Sequence, residues 1–301
     1  MKVAITGASG MLGRFVARAV ARDHQVVALD LAPNPDRPSV QVDVGDFAAV
    51  KAGMAGCEAV IHLAAIDQAR PASEQAFFNV NTVGCWNVLL AAEELGMHRA
   101  LLCSSVAALG LRPEAPPDML PVPVSHPQRP VSAYGASKQA TELAGQCFAR
   151  RGKLTVVCLR PALVIFPHQL VGWVKAAAEI DGLPVPGALA ALPDLAPEPI
   201  SASCAWVAPE DVAEAFALAL TADLPAFTAA FVTASDMMSQ RPTETALSER
   251  YGTPMQIADP ALYARDPRAS PYDLAPTRQA LGWSPTLRWP EMIQRCLEEA
   301  K

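Results

Sequence analysis

Tyr134 and Lys138 stand four residues apart in the segment Tyr134-Gly135-Ala136-Ser137-Lys138, at the start of a helical stretch that runs to Arg150. This spacing puts both side chains on one helix face, one turn apart. A phenol has a reference pKa of about 10 and is a poor base at neutral pH unless a positive charge lies beside it. An ammonium one turn away favours the phenolate, which can then accept a proton from a bound alcohol. A third group joins them from another part of the chain. Ala100–Cys103 reads as a buried strand, and Ser104-Ser105 follows at its C-terminal tip, so the Ser105 hydroxyl can hydrogen-bond the same substrate oxygen. The competing reading is an exposed aromatic ring and a solvated lysine on an ordinary helix.

Such a trio needs a scaffold, and the first thirteen residues, MKVAITGASGMLG, supply its start. Val3, Ala4 and Ile5 form a short apolar run suited to a strand buried on both faces. Gly7-x-x-Gly10-x-x-Gly13 then turns the backbone into an amphipathic helix carrying Leu12, Val16 and Val20. Gly7 permits a tight turn, Gly10 lets a pyrophosphate approach the backbone, and Gly13 lets the helix pack close to the strand. Helix N–H groups and the positive end of the dipole would hold a dinucleotide phosphate. An oxidised nicotinamide at the far end would add its positive charge to that of Lys138. Glycines also mark ordinary turns, and it is the strand before and the helix after that give these three their meaning.

A second apolar strand, Gln25–Leu29, ends on Asp30, where a carboxylate accepts hydrogen bonds from the adenosine ribose. A carboxylate there repels a 2′-phosphate and favours NAD over NADP. Arg14, beside the glycine turn, is the opposing signal, because a guanidinium could pair with that phosphate. Asp30 could also simply start the turn into Pro33-Asn34-Pro35. Ser39–Val44 reads as a third strand closed by Asp43-Val44, and Asp46 as the N-cap of a helix through Met54 that Gly56 stops. A fourth strand, Glu58–Leu63, leads into Ala64-Ala65, with His62 a satisfied core histidine. Residues 72–95 read as one long helix containing Asn79 and Asn81, and Leu154–Leu159 as a sixth strand. The rhythm is that of an α/β protein, a doubly wound parallel sheet of the Rossmann type.

Seven prolines between 112 and 130 exclude regular helix and predict a stiff extended loop crossing the surface near the site. Beyond Pro161 the βα rhythm fades. Leu170–Ile180 and Asp211–Leu220 read as helices, 182–200 as proline-rich, and Phe227–Thr233 as a strand that rejoins the sheet. The expected organisation is a nucleotide-binding domain over 1–160 and a small substrate lobe, 161–301, interleaved with it across a soft boundary. Substrate contacts are expected from Asp67, Ser105, Val106, Phe166, Pro167 and His168, each of which could equally serve packing or solvation.

Composition bounds the class. The chain has 301 residues, 51% of them hydrophobic, a net charge of −6 and no cluster of Lys and Arg, which argues against nucleic acid as a partner. No apolar run reaches the length of a membrane span, and the N-terminus is already strand and turn rather than a cleavable signal. The seven cysteines are scattered, odd in number and without a C-x-x-C pair, which reads as reduced thiols in a cytoplasmic protein. The five histidines show no ligand spacing, so no metal is expected.

Taken together, these residues resemble the extended short-chain dehydrogenase/reductase family, which includes sugar-nucleotide epimerases and dehydratases and sugar or uronate dehydrogenases. TGASGMLG resembles its cofactor turn, with Gly7, Ser9, Gly10, Met11, Leu12 and Gly13 at the dinucleotide. Asp30 matches its ribose acid, Asp43-Val44 its adenine-contacting pair, and His62-Leu63-Ala64-Ala65 its post-strand motif. Asn81 matches its helix asparagine, and Ser105, Tyr134 and Lys138 its catalytic trio, with Asn81, Cys103 and Pro161 also at the cofactor. Leu159-Arg160-Pro161, Glu210-Asp211-Val212-Ala213 and Leu281-Gly282-Trp283-Ser284-Pro285 follow in the family's order. The resemblance implies NAD as cofactor, a Lys138 that also grips the nicotinamide ribose, a small-molecule substrate, and a homodimer paired through helices 72–95 and 134–150.

Three positions depart from the pattern. Cys204 stands where epimerases aim an arginine at a nucleotide-sugar diphosphate, Leu163 where an asparagine contacts such substrates, and Leu109 where a tyrosine is common. The leading expectation is therefore an NAD-dependent oxidoreductase acting on a secondary alcohol or lactol of a small sugar, sugar acid or polyol. An epimerase or dehydratase of the same fold is the alternative, and a non-catalytic dinucleotide-sensing regulator the remote one.

Overall fold

The computed structural model describes residues 1–168, 170, 205–239 and 241–299. Seven parallel strands form one sheet in the order β3-β2-β1-β4-β5-β6-β9. They are β1 (Lys2–Thr6), β2 (Gln25–Asp30), β3 (Ser39–Gln41), β4 (Ala59–His62), β5 (Arg99–Cys103), β6 (Thr155–Pro161) and β9 (Phe227–Val232). A short pair, β7 (Leu163–Val164) and β8 (Trp206–Val207), lies beside it. Strand order reverses between β1 and β4, and a ligand crevice is expected at the carboxyl ends of the strands at such a point.

The sheet is central because its strands are apolar on both faces. Val3, Ile5, Ile61, Leu101 and Val157 point toward one layer, built by α1 (Met11–Val20) and the helix Pro209–Ala219. Ala4, Val60, Leu102 and Val156 face the other, built by α2 (Phe47–Gly53), α4 (Gly84–Glu94) and α5 (Ala133–Arg150). Full burial of each large aliphatic side chain contributes about 1.5–3 kcal/mol, so these two clusters fix the strand register. Caps set the helix starts. Asp46 accepts from the Ala49 N–H at 3.0 Å, as its sequence position predicts, and Ser132 caps α5 through the Gly135 N–H at 3.1 Å.

Four expectations change in detail. The third strand pairs only as far as Gln41, because the Asp43 carboxylate takes the Gly45 N–H at 2.8 Å and turns the chain. The helix expected over 72–95 is α-helical over Glu74–Phe77 (α3), widens into a π turn over Phe78–Val83, and is α-helical again in α4. The proline-rich loop is irregular, as predicted, but its middle leaves the surface: Leu120 and Val122 are fully buried among Tyr251, Tyr263 and Tyr272 of the C-terminal region. There Leu120 N–H donates to Gln256 O and Val122 N–H to Pro271 O. Pro209 opens the helix expected over 211–220, two residues early. The helix predicted from Leu170, the proline-rich 182–200 segment and Cys204 lie outside the described residues, apart from Leu170 itself. No helix among the described residues is long and apolar enough to cross a membrane.

Candidate active site

One cavity of about 890 Å³ runs along the carboxyl ends of the central strands, from the glycine turn to the start of α5. At the glycine end, Gly7 adopts φ +71°, where side chains are strained, and a Cβ there would meet the Ala64 backbone at 2.6 Å. At Gly13 a Cβ would sit 2.0 Å from Gly7 O, so only glycine lets α1 dock this closely. Gly10 is different. Its backbone is ordinary (φ −66°, ψ 164°), and a Cβ would meet nothing closer than Gly7 O at 3.3 Å. The helix behind it has no side-chain cap and no acid in its first turn, so its positive end is turned to the cavity without a countercharge of its own. The space over Gly10 and the bare helix end fit a dinucleotide pyrophosphate.

Asp30 terminates β2 at the cavity wall. Its carboxylate accepts from Ser9 N–H at 2.8 Å and from Ala32 N–H at 3.1 Å, so it both starts the turn and faces the cavity. Each oxygen keeps lone-pair capacity for a ribose hydroxyl. Asp43, Val44, Leu63, Ala64 and Ala65 line the same end, with Ser9, Met11 and Leu12.

The opposite end holds the trio. Lys138 is 5% exposed, and its Nζ donates to the carbonyl of Cys103 at 2.8 Å, which fixes the ammonium at the tip of β5. The Tyr134 ring lies 5.7 Å from that ammonium and packs edge-on against Phe77. Burial pushes the Tyr134 phenol above its usual value, while Lys138 and the Ser105 hydroxyl pull it down. Lys138 alone therefore offsets only part of the desolvation penalty. Ser105 accepts from Ala107 N–H at 3.1 Å and caps the short turn Val106–Leu109. Cys103, Ser105, Val106, Asp67, Pro161 and Phe166 all line the cavity.

Three predicted residues sit elsewhere: Pro167, which is buried outside the cavity lining, Asn81 and His168. Asn81 does not line the cavity; it is 2% exposed, and its amide accepts from Ile66 N–H at 2.8 Å and donates to Ile66 O and to the Ser137 hydroxyl. The π turn delivers it there, so its contribution is to tie the loop after β4 to the helix bearing Tyr134 and Lys138. His168 is exposed and packs on Phe166 outside the cavity lining. His62 is the core histidine expected: it is 4% exposed, held by Thr6 Oγ1 at 2.7 Å, and burial drives its pKa down to about 3.

Sequence reasoning missed a buried support behind the trio. Glu142, two turns past Tyr134 on α5, accepts from Ser104 Oγ at 2.5 Å, Arg160 Nε at 2.8 Å, Arg160 Nη2 at 2.7 Å and Gln128 Nε2 at 2.7 Å. Arg160 Nη1 also donates to Val124 O at 2.8 Å. This network anchors Ser104, the neighbour of Ser105, and the proline-rich loop to one point. The 134, 138, 142 periodicity was its visible signal. Leu111, Arg112, Val131 and Tyr272 also line the cavity and were not singled out.

Known proteins resemble this chain in sequence and in fold. An L-arabinose 1-dehydrogenase (NAD(P)(+)) of Haloferax volcanii is 33% identical over 187 residues, 60% of this chain and 69% of that protein. MoeE5 in complex with UDP-glucose and NAD superposes with a TM-score of 0.73 at 19% identity, covering 99% of this chain and 98% of that one, a likeness of fold. A Thermus thermophilus UDP-glucose 4-epimerase in complex with NAD gives a TM-score of 0.68 at 25% identity over 100% and 99% of the two chains. The model of the NAD dependent epimerase/dehydratase family matches residues 3–227. Three quarters of the chain thus falls within one family model, and the chain is an NAD-binding enzyme that belongs to the NAD dependent epimerase/dehydratase family.

Proposed function

We propose that this enzyme begins its reaction by oxidising a secondary alcohol or lactol of a sugar-type substrate, with Tyr134 as proton acceptor. The observation that carries this reading is the convergence of Tyr134, Lys138 and Ser105 on one wall of a cavity whose far end is the glycine turn. NAD, when bound, supplies the two-electron acceptor and, in its oxidised form, an additional positive charge. The Ser105 hydroxyl orients the substrate oxygen, and the Tyr134 phenolate takes its proton. Lys138, held by the Cys103 carbonyl, stabilises that phenolate against the burial that disfavours it.

The fate of the oxidised substrate divides two readings. Returning the hydride after rotation or elimination makes an epimerase or dehydratase, and this outcome has the broader support: the family's own description and the 25% identical epimerase. Net dehydrogenation, the leading expectation from the sequence, rests on the arabinose dehydrogenase likeness and on Leu163, an apolar side chain at the cavity wall. Incubation of the enzyme and NAD with free and nucleotide-linked sugars separates them. Accumulating NADH absorbance supports the dehydrogenase; an epimer or dehydrated sugar seen by NMR without NADH supports the alternative. NAD binding with neither product leaves the regulator.

We also propose a homodimer. Phe78, Val83 and Trp86, along the α3–α4 segment, and Leu143, on α5, are large apolar side chains left 39–57% exposed. A second copy pairing these helices would cover them. Light scattering of the wild type and of Leu143→Glu tests it: a dimer that the variant splits supports the pairing, and a wild-type monomer refutes it.

A further inference from the structure

The loop between β2 and β3 is latched onto the glycine turn. Ser9 Oγ donates to Ala32 O at 2.9 Å, and Asn34 Nδ2 donates to Ala8 O at 2.7 Å. Asn34 also receives the Asp36 N–H on its Oδ1 at 2.9 Å, while its own N–H goes to Ser39 Oγ. The loop thereby presents the Asp36 carboxylate to Arg14, the first residue after Gly13. The pair is bidentate, Arg14 Nε to Asp36 Oδ2 at 2.7 Å and Nη2 to Oδ1 at 3.0 Å. The Nε–Nη2 edge of the guanidinium, a fork that would suit a phosphate, is thus turned to a carboxylate that neutralises its charge.

We propose that Asp36 is a cofactor-selectivity residue: by occupying the Arg14 fork it withholds that guanidinium from the 2′-phosphate of NADP, and with Asp30 it sets the preference for NAD. The proposal rests on the assignment of Asp30 to the adenosine ribose. Asp30 alone leaves the opposing signal from Arg14 unanswered, because a free arginine beside the turn would attract the phosphate that Asp30 repels. The Arg14–Asp36 pair cancels that attraction. Both side chains are partly exposed, at 42% and 32%, so the pair contributes little to folding, and Asp36 can be changed without unfolding the loop that its backbone N–H holds. A phosphate dianion then meets a neutral side chain and a free fork.

Calorimetric titration of the whole protein with NAD+ and with NADP+ tests this without any substrate. Asp36→Asn should tighten NADP+ at least fivefold and leave NAD+ within twofold of wild type. Adding Arg14→Ala to Asp36→Asn should abolish the gain, and raised salt should shrink it. An unchanged NADP+ affinity in Asp36→Asn, or a gain that survives Arg14→Ala, overturns the proposal while the NAD site stands. Failure of the wild type to bind NAD+ at all would instead overturn the site assignment on which it rests.

Discussion

Glu142→Gln should be among the most destabilising single changes in the protein. Each carboxylate oxygen of Glu142 accepts two donors, Ser104 and Arg160 Nε on one, Arg160 Nη2 and Gln128 on the other. An amide has only one oxygen, so either orientation sets its NH2 group against a pair of donors. The change also strips the countercharge from Arg160, itself 5% exposed. Breaking a buried pair from one side costs about 3–5 kcal/mol. At about 2 °C per kcal/mol, the low end for large chains, the midpoint should fall by about 6–10 °C. Thermal and denaturant unfolding followed by circular dichroism measures this. The double change Glu142→Leu with Arg160→Met, which leaves no lone charge, should recover at least half of the loss. A single-variant cost below about 1 kcal/mol, or a double variant no more stable than the single, would refute the attribution to an uncompensated charge.

The glycine turn gives a paired prediction: Gly10→Ala should fold within about 0.5 kcal/mol of wild type yet bind NAD at least tenfold more weakly, whereas Gly13→Ala should lose stability outright, since its Cβ would lie 2.0 Å from Gly7 O. Equal stability losses in the two would contradict the division between phosphate approach and packing. Asp30→Ala should weaken NAD more than NADP in the same titrations, and equal losses would remove Asp30 from the ribose. His62 should make the fold acid-sensitive. Its folded pKa of about 3 lies below the reference of about 6.5, so the unfolded chain takes up the proton first, and stability present above pH 6.5 is lost as pH falls toward 3. That amounts to about 2 kcal/mol by pH 5 from this group, and His62→Gln should flatten the slope by that amount in denaturant titrations across pH. An unchanged slope would show that His62 takes up its proton as readily in the native state as in the unfolded chain.

Much of this site was legible because its signals are local. Tyr134 and Lys138 meet through helical period, Asp46 caps its own helix, and Gly7 and Gly13 are required within their own turn. The parallel order followed from alternation of apolar runs with amphipathic helices. What was not legible depends on partners distant in the chain. Asn81 reads as a cofactor residue until a π turn carries its amide to Ile66 and Ser137, and no periodicity announces that widening. The proline count correctly excluded regular helix over 112–130, but proline content is silent about Leu120 and Val122, whose burial is decided by tyrosines more than a hundred residues away. Glu142 and Arg160 lie on different elements and pair only because α5 packs over the β5–β6 edge. Arg14 was visible as an opposing charge, yet its partner Asp36 reaches it only through the fold of the loop after β2.

The central claim is that the phenol of Tyr134, beside the Lys138 ammonium, moves the proton at the end of the NAD cavity. Turnover of Tyr134→Phe on whichever sugar the wild type transforms, measured with NAD affinity on the same preparation, tests it most directly. The account predicts a rate at least about a hundredfold lower with NAD binding within twofold of wild type. A variant that keeps its rate would place the acid–base group elsewhere.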